Sequence, residues 1–229
     1  MRRALLTGAI GVALGALACT EPIAPSDATE DAAGVPETAM HFLRWPAADG
    51  APRFVAVSPR TGNGIPRAPS DAIPLQQYSL SFWAVRGRSV TARIDYAGGG
   101  VLQPFLQISV PPDALLRRAD GSTIADGDSV LISVTIDPTT VRVYFQPSGL
   151  TFSSASPLGL NMYYGGADQD LDGDGDVDAD DQAIREQRLG AWYQQNVGQP
   201  WSPMSGTHDV QAQRFIVGLL HFSGYAISW

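Results

Sequence analysis

Residues 168–181 read DQDLDGDGDVDADD, so eight of fourteen positions are aspartate. Carboxylates packed this closely repel one another unless a cation sits among them. From Asp170 onward the spacing fits a twelve-residue calcium loop. Asp170, Asp172 and Asp174 take positions one, three and five, Gly175 takes the sharp turn at position six, and Val177 is the apolar residue at position eight. Asp176 offers its backbone carbonyl, Asp178 a contact through water, and Asp181 closes the loop at position twelve. The cofactor this pattern predicts is Ca2+, and the plain alternative is a solvated acidic loop. Asp181 stands where calcium sensors place Glu, so one chelating arm is short. Binding in the ~0.1–1 mM range of extracellular modules is expected.

The surroundings of the loop predict what it does with an ion. Residues 179–188 (ADDQAIREQR) are the one helical candidate, with Asp180 and Asp181 near the start and arginines later. Before the loop, Tyr163, Tyr164, Gly165 and Gly166 read as strand and turn. A sensor works by changing the angle between two helices. With one helix, the site is expected to clamp a loop between two strands.

The remaining elements read as strands. Residues 78–86 and 89–96 alternate around Gly87-Arg88, which predicts a tight hairpin. Residues 105–110 form another strand, ended by Pro111-Pro112. Residues 128–136 and 141–146 predict a second hairpin around Asp137-Pro138. Residues 157–164, 188–195, 211–220 and 224–229 complete the set, with weaker β-prone pieces at 39–45 and 52–57. Residues 58–74 are rich in Pro and Gly and read as a loop. Ten or so short strands with little helical period predict an all-β antiparallel β-sandwich with one short helix after the calcium loop.

The chain opens with Arg2 and Arg3 followed by an apolar run from Ala4 to Ala18, too short for a permanent membrane span. Cys19 is the only cysteine. Small residues before a lone cysteine resemble the bacterial lipobox, although Ala16 stands where leucine is usual. That resemblance implies a signal peptide over 1–18, lipidation of Cys19, and a membrane as partner, with Thr20 compatible with the outer membrane. An ordinary secretory signal cleaved nearby is the alternative, and both readings export the protein. Residues 19–38 are rich in Ala, Pro, Asp, Glu and Thr and read as a disordered tether, leaving 39–229 as the domain. With Cys19 set aside no thiol pair remains, so the domain must hold by burial alone. The net charge is -8 and no basic residue is lysine, which excludes the basic footprint of a nucleic-acid binder.

Three segments of the C-terminal half resemble ZU-five domains, the β-sandwich modules of zona-occludens proteins, netrin receptors and ankyrins. ISVPPDALL at 108–116 resembles their strand-Pro-Gly-Ala-Leu segment, with Asp113 where Gly is usual. Residues 145–164 resemble their Pro-x-Gly, Phe, Pro, Leu strand. Trp201 followed by His221, Phe222, Ser223, Gly224, Tyr225 and Ala226 resembles their ending. The likeness covers about residues 100–229, with the aspartate loop inserted and residues 78–96 outside it as added strands. It implies fold more than function.

The resemblance also implies a chemistry at His221-Phe222-Ser223, since some ZU-five domains cut themselves within this tripeptide. Ser223 would attack the Phe222 carbonyl with His221 as base, and water would release the C-terminal strand. The structural alternative is that His221, Phe222 and Tyr225 pack the sandwich and Ser223 is an ordinary strand hydroxyl. The loop alone resembles a dockerin repeat, which closes on Asp, but dockerins use two repeats and one is present.

Other constellations are weaker. His41, His208 and His221 lie singly, without zinc-ligand spacing. No nucleophile elbow, phosphate loop or dinucleotide fingerprint occurs. Trp83, Trp192, Trp201 and Trp229 are candidates for a sugar-binding face, though tryptophans in a sandwich more often pack it. Eight exposed carboxylates lack the burial that tunes a catalytic pKa. The function these residues predict is a non-enzymatic, exported and membrane-anchored binding or scaffolding module for a protein or glycan ligand. Self-cleavage and carbohydrate binding are the alternatives.

Overall fold

The computed structural model describes residues 34–47, 51–61, 72–75, 77–98 and 103–229. Cys19, the signal segment 1–18 and the tether up to residue 33 lie outside the described residues. The strands in chain order are β1 (Phe54–Thr61), β2 (Ala72–Pro74), β3 (Ser79–Val85), β4 (Val90–Tyr96) and β5 (Gln103–Val110). Then come β6 (Leu115–Arg117), β7 (Ser129–Ile136), β8 (Arg142–Gln146), β9 (Thr151–Phe152) and β10 (Leu158–Tyr163). Helix α1 (Ala179–Gln187) follows, and β11 (Gly190–Gln194), β12 (Trp201–Pro203), β13 (Thr207–Asp209), β14 (Arg214–Leu219) and β15 (Gly224–Ser228) complete the chain.

These strands form two antiparallel sheets packed face to face, the predicted all-β sandwich. One sheet runs β13-β14-β10-β5-β4-β1-β2, the other β12-β11-β15-β8-β7-β3, and β6 pairs with β9 alone. The alternating pattern explains why. In β7 Val130, Ile132, Val134 and Ile136 are buried while Ser129, Leu131 and Thr135 face out. In β10 Leu158, Leu160 and Met162 face inward. Successive side chains point to opposite faces, so each strand delivers one apolar row to the core. Losing one such leucine costs about 2–5 kcal/mol.

The hairpin of β7 and β8 forms as the sequence predicts, with Ile136 opposite Val143. The hairpin predicted around Gly87-Arg88 does not. Its turn is real, since Gly87 has φ +88 and the Arg88 N–H donates to the Val85 carbonyl at 3.1 Å. Its two strands then part, β3 pairing with β7 and β4 with β5 and β1, in opposite sheets. Phe82 and Ala84 thus enter the core from one side and Ala92 and Ile94 from the other. Residues 78–96 are integral to both sheets. The loop predicted over 58–74 is shorter than expected, because β1 runs to Thr61 and β2 occupies Ala72–Pro74.

The N-terminal boundary also moves. The described residues from 34 onward belong to one compact unit. Val35, expected in the tether, exchanges two backbone bonds of 2.7 Å with Trp201 on the edge of β12. Glu37 pairs with Arg142 at 2.6 Å. Leu43 donates to the Ile227 carbonyl and accepts from the Val141 N–H, wedging residues 41–45 between β15 and the start of β8. Buried Leu43 and Trp45 pin this segment, which polar composition alone did not reveal.

Candidate metal site

The aspartate loop hangs between two anchors. On its near side β10 ends at Tyr163, the Ala167 N–H donates to the Tyr164 carbonyl at 2.9 Å, and the Asp168 N–H donates to Arg44 at 2.9 Å. On its far side α1 covers Ala179–Gln187, close to the predicted 179–188. Leu171 of the loop and Ile184 of the helix are both buried in the core. Gln169 ties the two sides, its side-chain oxygen accepting from Arg185 at 3.0 Å and from Gln213 at 3.1 Å. The aspartate spacing gave no hint of Gln169; its place beside a loop entrance was the only available signal.

Within the loop each early aspartate folds the backbone around itself. Asp170 accepts the Gly173 N–H on one oxygen at 2.7 Å and the Gly175 N–H on the other at 3.0 Å. Asp172 accepts from Asp174 at 3.2 Å, and Asp174 accepts from Asp176 at 2.9 Å. Gly175 has φ +101, a conformation that side-chain-bearing residues resist, at the position where the calcium loop needs its turn. Carboxylate oxygens of Asp170, Asp172 and Asp174 lie within 4.8 Å of one another. Two oxygens that share a calcium at 2.3–2.6 Å are at most about 5 Å apart, so these three fit one ion.

The other three predicted ligands are placed differently. Asp176 is exposed. Asp178 is the N-cap of α1, accepting the Asp180 N–H at 2.8 Å. Asp181 is buried, 1% exposed, with both oxygens turned to the backbone. One accepts the N–H groups of Leu171 and Asp172, the other that of Asp178 at 2.8 Å. Asp178 and Asp181 form a reciprocal capping box, so position twelve braces the loop against the helix.

The charges agree with this division. The N–H groups of Asp178, Leu171 and Asp172, helped by Arg185, outweigh desolvation and hold Asp181 below the usual carboxylate range. At Asp172 the Asp174 N–H pulls down, but desolvation and the charges of Asp174, Asp181 and Asp170 win and raise it. A cation beside Asp172 would relieve that repulsion. A cavity of about 240 Å3 opens beside the loop, lined in part by Arg44, Asp170, Asp172 and the stacked rings of His41 and Trp229.

The tripeptide His221-Phe222-Ser223 lies just before β15. Phe222 is fully buried between Phe145 and Phe152, with ring centroids 4.8 Å from each. Its N–H donates to the Leu150 carbonyl at 2.9 Å. Burial raises the Tyr225 phenol well above its ordinary value, and that phenol donates to the His221 carbonyl. His221 Nδ1 and Ser223 Oγ are both buried and neither reaches a partner at hydrogen-bond geometry. No bond joins them to each other. None of the three residues has a positive φ.

The four tryptophans do not form one exposed platform. Trp201 is fully buried, and Trp83 stands 59% exposed on β3 at the far edge of the sheet from β12. The Trp192 indole is tied to the Ser228 carbonyl at 3.2 Å, and Trp229 stacks on His41. His208 is stacked on Phe215 and bonded to the Tyr164 hydroxyl, a packing role. Comparison with protein-family models, curated proteins and solved structures finds no match to this chain.

Proposed function

We propose that this chain is an exported lipoprotein whose ZU-five-like sandwich is a non-enzymatic binding or scaffolding module, stapled by one structural calcium. The observation that carries the metal reading is the convergence of Asp170, Asp172 and Asp174 within 4.8 Å. The clamp reading is supported by the loop's anchors, Arg44 on one side and the buried Asp181 on the other. One helix follows the loop and a strand precedes it, an arrangement with no hinge for a sensor's opening. Export and anchoring through Cys19 rest on the leader sequence, and the ZU-five-like reading on segments 108–116, 145–164 and 221–226. Calorimetric titration tests the metal: one site of near-millimolar affinity is expected, lost in Asp174→Ala. Membrane fractionation with and without Cys19→Ala tests the anchor.

A second reading, self-cleavage between Phe222 and Ser223, is favoured by the unpartnered His221 Nδ1 and Ser223 Oγ on either side of that bond. Intact mass under denaturing conditions decides it. A single species ending at Trp229 eliminates cleavage.

A further inference from the structure

Charge is spread unevenly over this fold. Residues 189–207 carry no charged side chain, although the net charge of the chain is -8. The fold gathers them on one flank, where β12 is the edge strand and pairs with β11, Trp201 opposite Gln194. β11 begins after α1 and runs from Gly190 to Gln194. The loop that joins it to β12 therefore lies at the end of the strand away from α1 and the aspartate loop, about 14 Å along. Residues 215–229, which supply the neighbouring β15 and most of β14, carry no charged side chain while His221 is neutral.

The flank is also apolar. Val197, in the loop between β11 and β12, is 86% exposed, the highest value for a large apolar side chain among the described residues. Leu220, just past β14, is 49% exposed. Beside Leu220, a cavity of about 280 Å3 is lined by Tyr193, Pro203, Met204 and Leu219.

The N-terminal connection enters on this same flank. Val35 bonds to Trp201, and a Cβ added to Gly34 would meet Pro200 at 2.8 Å and Ser202 at 3.3 Å. The stretch of chain from Cys19 to Gly34 can span at most about 50 Å.

We propose, on the reading of Cys19 as a lipid anchor, that this flank is the surface of the domain that rests on the phospholipid bilayer, with Val197 and Leu220 at the headgroup boundary. Two apolar side chains are too few to hold a free domain on a membrane. A short anchored connection makes the contact intramolecular, at millimolar effective concentration, where a weak contact is populated. A neutral surface meets no repulsion from anionic headgroups. The aspartate loop, which those headgroups repel, is at the other end of β11 and stays in water.

The test couples the full chain through Cys19, its only cysteine, to a maleimide lipid in nanodiscs of phosphatidylcholine and phosphatidylglycerol. Gadolinium chelates on the headgroups then broaden the amide NMR signals of residues near the bilayer. Coupling fixes the anchor at Cys19 whether or not a cell acylates it. The intact mass of the chain purified from membranes decides acylation separately, and a mass without acyl chains sinks the anchor reading while leaving the nanodisc result standing. The expected result is relaxation enhancement several-fold larger at Gln195–Gln199 and Leu220 than at Asp172–Val177. Val197→Asp, at an exposed position, should keep a native circular-dichroism spectrum and bring the two sets close to equal. Uniform enhancement in the wild-type chain, or a maximum elsewhere, overturns the proposal and leaves the flank to a protein partner. A preference that survives unchanged in Val197→Asp reflects only nearness to the anchor, and also overturns it.

Discussion

Asp181 accepts the backbone N–H of Asp178 at 2.8 Å while the Asp178 side chain caps the same turn, so the loop's last position and the helix's first are one unit. Because Asp181 also accepts from Leu171 and Asp172, it joins the two ends of the aspartate loop.

Asp181→Asn therefore tests bracing by charge and shape together. The amide nitrogen would present a donor to an N–H that now meets an oxygen. Loss of this cap should lower the melting temperature by about 2–4 °C in the presence of chelator, where no metal contributes. An unchanged melting temperature would show that the buried carboxylate does not support the loop.

Asp137 should give the fold part of its acid sensitivity. Burial raises its pKa, but hydrogen bonds from Thr139 and Thr140 and the charge of Arg142 outweigh this and leave it lowered. A carboxyl depressed in the folded state adds stability above its unfolded value, near 4, and loses it as pH falls through the folded value. Asp137→Asn should cost about 1–2 kcal/mol at neutral pH and flatten the stability profile below pH 4. Urea midpoints across pH 2–7 read both effects, and a mutant profile parallel to the wild type would contradict the assignment.

The domain boundary can be tested by truncation. A chain starting at residue 33 keeps the Val35–Trp201 bonds and the Glu37–Arg142 pair, and one starting at residue 39 loses both. The first should melt with the full chain, the second several degrees lower. Equal melting of the two would return residues 34–38 to the tether.

Ser223→Ala separates packing from chemistry at the tripeptide. The Ser223 hydroxyl is buried without a partner, so removing it should leave stability unchanged or raise it by up to about 1 kcal/mol. A loss of more than that would mean the hydroxyl is bonded within the fold.

The sequence revealed most where one residue type decides the local geometry. Gly175, the aspartates before it and the acidic start of α1 are such cases, and the loop and helix lie where they predict. The hairpin around Asp137-Pro138 is another. Gly87 predicts a turn and there is one, but turn chemistry does not say which sheet the next strand joins. That choice is made by β7 and β5, distant in sequence, whose apolar rows receive β3 and β4. Val35 reads as tether because a single backbone bridge leaves no periodicity. Spacing marks Asp181 as a ligand at position twelve; that its oxygens meet backbone N–H groups depends on how closely α1 folds back.

A calcium held by Asp170, Asp172 and Asp174 should stabilise the sandwich, and the melting temperature of the purified chain reads this directly, in excess chelator and in calcium at about ten times its dissociation constant. Binding to the folded state alone should raise the melting temperature by about 3–6 °C, with Asp174→Ala abolishing the rise. Identical melting in calcium and chelator would contradict the account and leave a solvated acidic loop.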